Sequence, residues 1–295
     1  MSKPVVGIIG LGLMGSCLAR RLVETGHAVA GYDIVAEKVA AACAVGARGC
    51  GSAAEVAKAA DVVLMSLTTT AAMEEVVLGA GGIVTAGRLD GKVLIDHSTT
   101  EIEATKRVAA ALTARSGMDF VDAPVSGGPG AAAAGTLAIM AGGTAATVAR
   151  IAPTMAQLGT LTHVGEVGAG QATKLVNQTL VLANYCVMAE ALRLAEAYGV
   201  DAAKIPAALA GGHAGSNLLP VLFERMIARD FAPKGYARQI LKDLEMLHDA
   251  AGARRLAMPM VAQALTLYRL LVAQGKGELD GAAVLTLYPE ADPAQ

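Results

Sequence analysis

Glycines at positions 10, 12 and 15 follow an apolar run that starts at Val5, and Asp33 stands at the end of the next apolar run. Gly10 permits a tight turn, Gly12 lets the backbone approach a pyrophosphate, and Gly15 allows a helix to pack closely on the strand. A helix that begins here presents free N–H groups to the anion. If the glycines only formed a turn, the surrounding strand, helix and acid would have no explanation. The spacing predicts a dinucleotide site that comprises Gly10, Leu11, Gly12, Leu13, Met14 and Gly15.

Asp33 also discriminates between the two nicotinamide dinucleotides. A carboxylate at this position accepts hydrogen bonds from the adenosine ribose hydroxyls and repels a 2′-phosphate. No arginine follows directly, since residues 34–36 are Ile-Val-Ala, and Lys38 is the nearby basic residue. NAD is therefore favoured over NADP as the cofactor.

A second group of residues follows Asp122, at the end of another apolar run, and consists of Ser126, Gly127 and Gly128. A hydroxyl followed by two glycines exposes an O–H and backbone N–H groups together, which suits a carboxylate ligand. An ordinary Ser-Gly-Gly turn has the same residue types, because such clusters commonly mark loops. The spacing alone leaves both interpretations open.

The third group, Lys174, Asn177 and Gln178, lies near the start of a long helical segment. Residues at i, i+3 and i+4 share one face of a helix. A lysine so placed can donate a proton to a carbonyl oxygen as hydride arrives, and take it back in the oxidative direction. The alternative is a surface lysine at a helix start, although a cation there opposes the helix dipole.

No metal site is expected, because the histidines and cysteines show no metal-ligand spacing. These residues are His27, His97, His163, His213, His248, Cys17, Cys43, Cys50 and Cys186. Buried free thiols in a reducing cytoplasm are the simplest interpretation of the cysteines. His97 follows a strand end, and we expect it to be structural or peripheral.

The elements that must position these groups change in kind along the chain. Candidate strands at 5–9, 28–32, 62–67, 93–95, 119–122, 137–141 and 161–164 alternate with amphipathic helices such as 15–25 and 102–115. This alternation predicts an α/β fold of the Rossmann type, with a mostly parallel sheet and helices on both faces. Ligands of such sheets bind beyond the carboxyl ends of the strands, which is where Asp33 and residues 67–70, 96–99 and 122–130 fall.

After Gly170 the pattern is helical, with candidate helices at 171–199, 202–210, 216–229, 236–251 and 258–274. We therefore predict a dinucleotide-binding domain over residues 1–164 and an all-helical domain over 165–295, joined by a long helix. The helical domain is apolar enough that we expect a homo-oligomer formed through it.

Bulk properties limit the partners. The net charge of −2 gives no electrostatic reason for nucleic acid or an anionic membrane. The N-terminus runs directly into the first strand, so we expect no signal peptide and a cytoplasmic location. The apolar stretch 175–194 is long enough for a membrane span, but it contains Asn177, Gln178, Asn184, Glu190 and Arg193, which are costly in lipid.

Taken in order, residues 10–15, 122–128 and 168–178 resemble the motifs of the β-hydroxyacid dehydrogenases, a group that includes 3-hydroxyisobutyrate dehydrogenase. The resemblance implies an N-terminal Rossmann domain, a C-terminal helical domain, and dimers or tetramers. It implies interconversion of a 3-hydroxy acid and its semialdehyde with NAD or NADP and without a metal. By the family pattern Lys174 is the catalytic acid/base, and the substrate carboxylate binds Ser126, Gly127 and Gly128. The positions that match cofactor contacts are Leu67, Thr68, Thr99 and Lys242.

The chain departs from the family pattern near the lysine. The family often has asparagine four residues after it, whereas this chain has Gln178 there and Asn177 one residue earlier, so either amide is a candidate for orienting the substrate.

Segments 174–178 and 211–216 are most similar to the family branch that acts on tartronate semialdehyde and D-glycerate. Tyr236 and Arg238 differ from that branch, and a guanidinium suits a second substrate carboxylate. Alternatives are 3-hydroxyisobutyrate, or 4-hydroxybutyrate with succinic semialdehyde. An imine reductase generally lacks the lysine, and a non-catalytic NAD-binding protein needs neither Lys174 nor the Ser126–Gly128 group.

Overall fold

The computed structural model describes residues 3–290, and the strands of that part of the chain form one nine-stranded sheet. The strands are β1 (Val6–Ile9), β2 (Val29–Tyr32), β3 (Arg48–Gly49), β4 (Val62–Met65), β5 (Val93–Asp96), β6 (Asp119–Asp122), β7 (Val125–Ser126), β8 (Leu137–Gly142) and β9 (Gly159–Gly165). Their order is β3-β2-β1-β4-β5-β6-β8-β7, with β9 paired to β8.

The strands from β3 to β6 run parallel to one another. Every residue of β1, β4 and β5 is buried, as expected where helices cover both faces of a parallel sheet. This arrangement confirms the predicted fold class of a mostly parallel Rossmann-type sheet.

Strand β8 is the exception, because it runs antiparallel to both β6 and β7. For two neighbouring strands to run parallel, the connection must carry the chain back to the end of the sheet where the first strand began. Such a crossover usually contains a full helix. The connection from β6 contains only a seven-residue helix after β7, so the chain re-enters the sheet from the same edge. The short strands β3 and β7 carry no alternating apolar pattern, and the sequence analysis did not predict them.

Three of the helices that accompany the sheet begin at a residue whose side chain caps them. The helices are α1 (Leu13–Glu24), α2 (Ala36–Ala44), α3 (Ala53–Ala59), α4 (Thr70–Leu78), α5 (Ile102–Ser116), α6 (Gly128–Ala134) and α7 (Ala145–Met155). The side chains of Ser52, Thr69 and Thr144 accept hydrogen bonds from the first turns of α3, α4 and α7. Helix α5 ends at Gly117 in the left-handed conformation.

Alternate residues of the central strands pack into different cores. Val62 and Leu64 of β4 belong to a cluster on one face of the sheet, whereas Val63 and Met65 belong to a separate cluster on the other. Successive side chains of a strand point to opposite faces, so a continuous apolar run serves two cores at once. This double burial explains why β4 has no polar residue.

From Ala169 to Leu287 the chain is mainly helical, with a core of its own. The helices of this part are α8 (Ala169–Ala197), α9 (Ile205–Leu209), α10 (Leu218–Ile227), α11 (Ala237–Ala253) and α12 (Pro259–Leu271), followed by a 3₁₀ segment, Gly281–Leu287. Tyr268 is fully buried in this core, and its hydroxyl donates a hydrogen bond to the carbonyl of Gly281 at 2.9 Å. That bond satisfies the phenol and fixes the 3₁₀ segment on α12.

The chain divides into two compact units, of which the first ends at Lys174 and the second begins at Leu175. The division lies inside α8, whereas the sequence analysis places the domain boundary after residue 164. The first turn of α8 belongs with the sheet because the backbone N–H groups of Gly168 and Gln171 donate to the carboxylate of Asp122.

By length and composition α8 could cross a membrane, and a third of its most apolar window is buried. This is weak evidence, because core helices of soluble proteins pass the same test. Polar residues of α8 are engaged within the second unit. Glu190 accepts a hydrogen bond from Tyr288, and Arg193 pairs with Glu196.

Candidate active site

The carboxyl ends of five parallel strands coincide in register. Ile9 of β1 is paired with Tyr32 of β2 on one side and with Met65 of β4 on the other. Met65 is paired with Asp96, and Asp96 with Asp122. The segments that follow these residues therefore leave the sheet at one edge. These segments, together with the helix starts and the short strand β7 that they lead into, contain the candidate residues of the first unit other than Lys174.

The glycine turn after β1 has the geometry that a dinucleotide requires. Gly10 has φ of +88°, and a Cβ there would lie 2.3 Å from the carbonyl oxygen of Ser66. A Cβ on Gly15 would lie 1.8 Å from the carbonyl oxygen of Gly10, so the helix can pack here only without a side chain. By contrast, a Cβ on Gly12 would meet nothing within 4 Å. The backbone at the start of α1 thus faces open space, which fits a pyrophosphate.

Asp33 lies beside this turn and is nearly buried, with 8% of its side chain exposed. Its Oδ2 accepts the N–H of Leu11 at 2.8 Å, and its Oδ1 accepts the N–H of Val35 at 2.9 Å. The Nζ of Lys38 is 3.6 Å from Oδ1. A carboxylate accepts about four hydrogen bonds, so Asp33 retains acceptor capacity for ribose hydroxyls.

The loops after β4 and β5 are joined to each other. The N–H of Leu67 donates to Oγ of Ser98 at 2.9 Å. Leu67 and Thr99 are half-buried and Thr68 is exposed, so the three candidate cofactor positions lie on two adjacent, linked loops. Their contact with a cofactor stays a prediction.

The Ser126 group follows β6 directly. Ser126 lies in β7, opposite Ala138 of β8, and Gly127 and Gly128 have φ of +125° and +68°. A Cβ on Gly128 would meet nothing within 4 Å, and Gly127 is exposed. These positive φ values explain why both positions are glycine.

Lys174 reaches this same turn from α8. Its Nζ donates a hydrogen bond to the carbonyl oxygen of Val125 at 2.8 Å, and the residue is 8% exposed. The structure thus brings together the candidate acid/base, Lys174, and the candidate carboxylate site at Ser126. These two residues are 48 positions apart in the sequence. The interpretation as an ordinary surface lysine is not compatible with this burial.

Two carboxyl groups lie beneath the site, in register on β5 and β6. Burial raises the pKa of Asp96 to about 7. Hydrogen bonds that Ser98 donates to the carboxyl group lower this pKa, and the nearby charge of Asp122 raises it. Burial also raises the pKa of Asp122 to about 6, against the effect of the N–H groups of Gly168 and Gln171. Both acids therefore hold structure by accepting hydrogen bonds from the loops above them.

His97 is buried between these loops, as expected for a structural residue. Its Nδ1 is 2.6 Å from the carbonyl oxygen of Ala123, which makes Nδ1 the protonated nitrogen. Its Nε2 is buried and has no hydrogen-bond partner among residues 3–290. Burial lowers the pKa of His97 to about 4, so the ring is neutral at physiological pH.

In the second unit, the amide of Gln178 is engaged on both sides. Its Oε1 accepts a hydrogen bond from Nδ2 of Asn177 at 2.9 Å, and its Nε2 donates to Oδ2 of Asp243 at 2.6 Å. Lys242 pairs with the other oxygen of Asp243 at 2.9 Å. Asn177, Gln178 and Lys242 thus belong to one network, and which amide orients a substrate stays open.

Tyr236 and Arg238 stand at the start of α11. The guanidinium of Arg238 lies 4.5 Å from the ring centroid of Tyr236, and its Nε donates to Glu278 at 2.6 Å. Both charged side chains of this pair are well exposed, so an anionic ligand could exchange with Glu278.

Sequence reasoning missed the side chains that support the site, above all Asp122 and Gln171. In the sequence Asp122 marks the start of the Ser126 segment, whereas in the structure its carboxylate caps α8. Gln171 is 1% exposed and has two side-chain hydrogen bonds to the loop after β5. A polar residue one turn before Lys174, on the same helix face, is the signal that could have identified it.

Comparison with known proteins gives matches over nearly the whole chain. Residues 5–184 match the family described as the NAD binding domain of 6-phosphogluconate dehydrogenase. Residues 168–288 match the family described as the NAD-binding of NADP-dependent 3-hydroxyisobutyrate dehydrogenase.

Individual relatives are similar at moderate identity. The chain is 37% identical to 2-hydroxy-3-oxopropionate reductase of Escherichia coli, over 95% of each sequence. It is 35% identical to 2-(hydroxymethyl)glutarate dehydrogenase of Eubacterium barkeri, over 98% of this chain and 97% of that protein. The crystal structure of 3-hydroxyisobutyrate dehydrogenase from Salmonella typhimurium has a TM-score of 0.87 and 28% identity, covering 97% of this chain and all of that one.

Proposed function

The chain belongs to the 3-hydroxyisobutyrate dehydrogenase-like family of β-hydroxyacid dehydrogenases, which are NAD-dependent oxidoreductases, and on that premise we propose that it interconverts D-glycerate and tartronate semialdehyde. The observation that carries the proposal is the hydrogen bond from Lys174 to the carbonyl of Val125, next to Ser126. It places a proton donor beside a turn that suits a carboxylate. A small acid whose carbonyl carbon is close to its carboxylate can contact both the proton donor and the turn.

NAD, when bound, supplies or accepts the hydride. The protein contributes a proton and two anchoring sites. The N–H groups of Gly127 and Gly128 and the hydroxyl of Ser126 hold the substrate carboxylate. The ammonium of Lys174 donates a proton to the substrate's carbonyl oxygen during reduction, and the amine takes it back during oxidation. In the reduced product that oxygen is the hydroxyl at carbon 3.

The buried setting of Lys174 supports this role. Its hydrogen bond to the carbonyl of Val125 sets the direction of the ammonium beside the Ser126 turn. Exchange of the proton with solvent is limited at 8% exposure, so the proton is directed to the bound oxygen.

The relative from Escherichia coli and the similarity of segments 174–178 and 211–216 favour glycerate over other 3-hydroxy acids. Arg238 favours a second candidate, a dicarboxylic 3-hydroxy acid. Its guanidinium is exposed and pairs with the exposed Glu278, and the relative from Eubacterium barkeri is named for such an acid.

The experiment is a panel of acids incubated with purified protein and NAD or NADP, with reduced nicotinamide followed by absorbance. The panel contains D- and L-glycerate, 3-hydroxyisobutyrate, 4-hydroxybutyrate, 2-(hydroxymethyl)glutarate, L-serine and L-threonate. We expect the highest kcat/KM with NAD and D-glycerate. A highest value with 2-(hydroxymethyl)glutarate, reduced selectively in Arg238→Met, would establish the dicarboxylate alternative. Absence of turnover with every acid, while NADH still binds, would contradict the proposed substrate class.

A further inference from the structure

Gln171 connects α8 to the loop after β5 by two hydrogen bonds from one side chain. Its Oε1 accepts the N–H of Thr100 at 3.1 Å, and its Nε2 donates to the carbonyl of Ser98 at 2.9 Å. The side chain is almost completely buried, and Lys174 follows three residues later on the same helix. Both polar ends of the amide are therefore satisfied by one loop.

The backbone of the same residue connects α8 to a second strand. The N–H of Gln171 donates to Oδ2 of Asp122, and the N–H of Gly168 donates to Oδ1, each at 2.8 Å. This carboxylate satisfies N–H groups that a helix start otherwise leaves unpaired. The first turn of α8 is thus held from the ends of both β5 and β6.

The connection continues to the end of β4. Ser98, whose carbonyl accepts from Gln171, also accepts the N–H of Leu67 through its hydroxyl. Leu67 and Thr99 are candidate cofactor positions, and Lys174 is the candidate acid/base. Gln171 therefore joins the loops assigned to the cofactor with the helix turn that precedes the lysine.

We propose that Gln171 is a positioning residue, which sets the place of Lys174 relative to the loops carrying Leu67 and Thr99 without touching the substrate. The inference rests on the proposed function of Lys174. Displacement of a reacting group by about 1 Å can cost on the order of 100-fold in rate. Because Gln171 joins the loops assigned to the cofactor with the helix turn that precedes Lys174, we expect its loss to lower kcat.

The first test is Gln171→Met, which preserves the length of the side chain and removes both hydrogen bonds. We expect kcat to fall by about 10- to 100-fold, with KM for the acid within about threefold of the wild-type value. Gln263→Met makes the same chemical change at an exposed position of α12 and should leave kcat unchanged. Val261→Ala truncates a core residue of the second unit and controls for a general loss of stability.

The second test is Gln171→Glu, whose protonated form keeps one donor and one acceptor. Its ionised form places a negative oxygen against the carbonyl of Ser98. The activity of this variant relative to wild type should therefore rise as pH falls. Dividing by the wild-type activity at each pH removes the pH dependence that both proteins share. The charged or titratable groups near Gln171 include Asp96, His97, Lys106, Asp122 and Lys174. A ratio that does not change with pH would contradict the hydrogen-bonding role.

Hydrogen–deuterium exchange of the full-length protein gives a measurement independent of activity. Gln171→Met should accelerate exchange in peptides covering residues 97–101 and 167–174, with other segments unchanged. If neither segment changes, Gln171 does not join them, whatever the kinetics. If both change while kcat is unaltered, the residue is structural only and the proposal fails. If the wild-type protein oxidises no acid in the panel, the proposed function fails, and the exchange result still decides whether Gln171 joins the segments.

Discussion

The side chain of Asp33 both stabilises the glycine turn and discriminates between NAD and NADP. Its two oxygens accept the N–H groups of Leu11 and Val35, so the carboxylate fixes the glycine turn to the end of β2. Its negative charge disfavours a 2′-phosphate. The charge can be tested apart from most of the structure, because an amide is neutral and keeps one of the two acceptor oxygens.

We expect Asp33→Asn to raise the ratio of kcat/KM for NADP to that for NAD by about tenfold, equal to about 1.4 kcal/mol. Asp33→Ala should reduce activity with both cofactors, because the N–H of Leu11 loses its partner. Lys38→Met is the matched control and should not raise the ratio, since it removes a cation that attracts phosphate. Steady-state kinetics with both cofactors makes the measurement, and an unchanged ratio in Asp33→Asn would show that the charge does not select NAD.

Lys174 is the residue on which the chemistry depends. Lys174→Met should lower kcat by about 10²- to 10⁴-fold, the usual contribution of general acid–base catalysis. The dissociation constant of NADH, measured by fluorescence, should stay within about twofold of wild type, and the exposed Lys58→Met should behave as wild type. Loss of NADH binding together with activity would assign Lys174 a structural role instead.

At the scale of elements, the start of α11 depends on a buried ion pair in the second unit. Nη1 of Arg225 lies 2.8 Å from Oδ1 of Asp280, and both side chains are almost inaccessible. The other oxygen of Asp280 accepts the N–H groups of Lys234 and Gly235, just before α11. The pair therefore fixes the segment that leads to Tyr236 and Arg238.

Asp280→Ala should lower the free energy of unfolding by about 3–5 kcal/mol, because it removes the buried partner of Arg225 and leaves that charge with Asp230, a partly exposed carboxylate 3.4 Å from its Nε. Urea denaturation followed by circular dichroism measures the loss. The double variant Arg225→Met with Asp280→Asn should recover part of it, since no buried charge is then left. Glu245→Ala, which removes an exposed ion pair with Arg269, should leave stability unchanged. A loss below about 1 kcal/mol in Asp280→Ala would show that the pair does not stabilise the unit.

At the scale of the whole molecule, α8 carries an exposed apolar stripe formed by Val176, Leu180, Val187 and Leu194. Their exposure ranges from 46% to 63%, and spacings of four and seven residues keep them on one face of a helix. A stripe of this length is costly in water. We expect a second copy of the chain to cover it, in agreement with the homo-oligomer expected from composition.

Leu180→Glu should therefore reduce the molar mass measured by light scattering after gel filtration, because a charge would be buried in the contact. Leu256→Glu, at an exposed position outside α8, should leave the mass unchanged. A wild-type protein that is monomeric at micromolar concentration would contradict the expectation.

The sequence by itself determined the Rossmann-type sheet, the glycine turn, Asp33 and the grouping of candidate residues beyond strand ends. These features follow from local spacing: glycines are required where backbones approach, and apolar runs where strands are covered on both faces. Only the tertiary structure decided that β8 is antiparallel, that Lys174 reaches Val125, and that Asp122 and Gln171 hold α8. Each of these depends on partners dozens of residues apart, and a hydrogen bond between distant residues leaves no periodicity in the sequence.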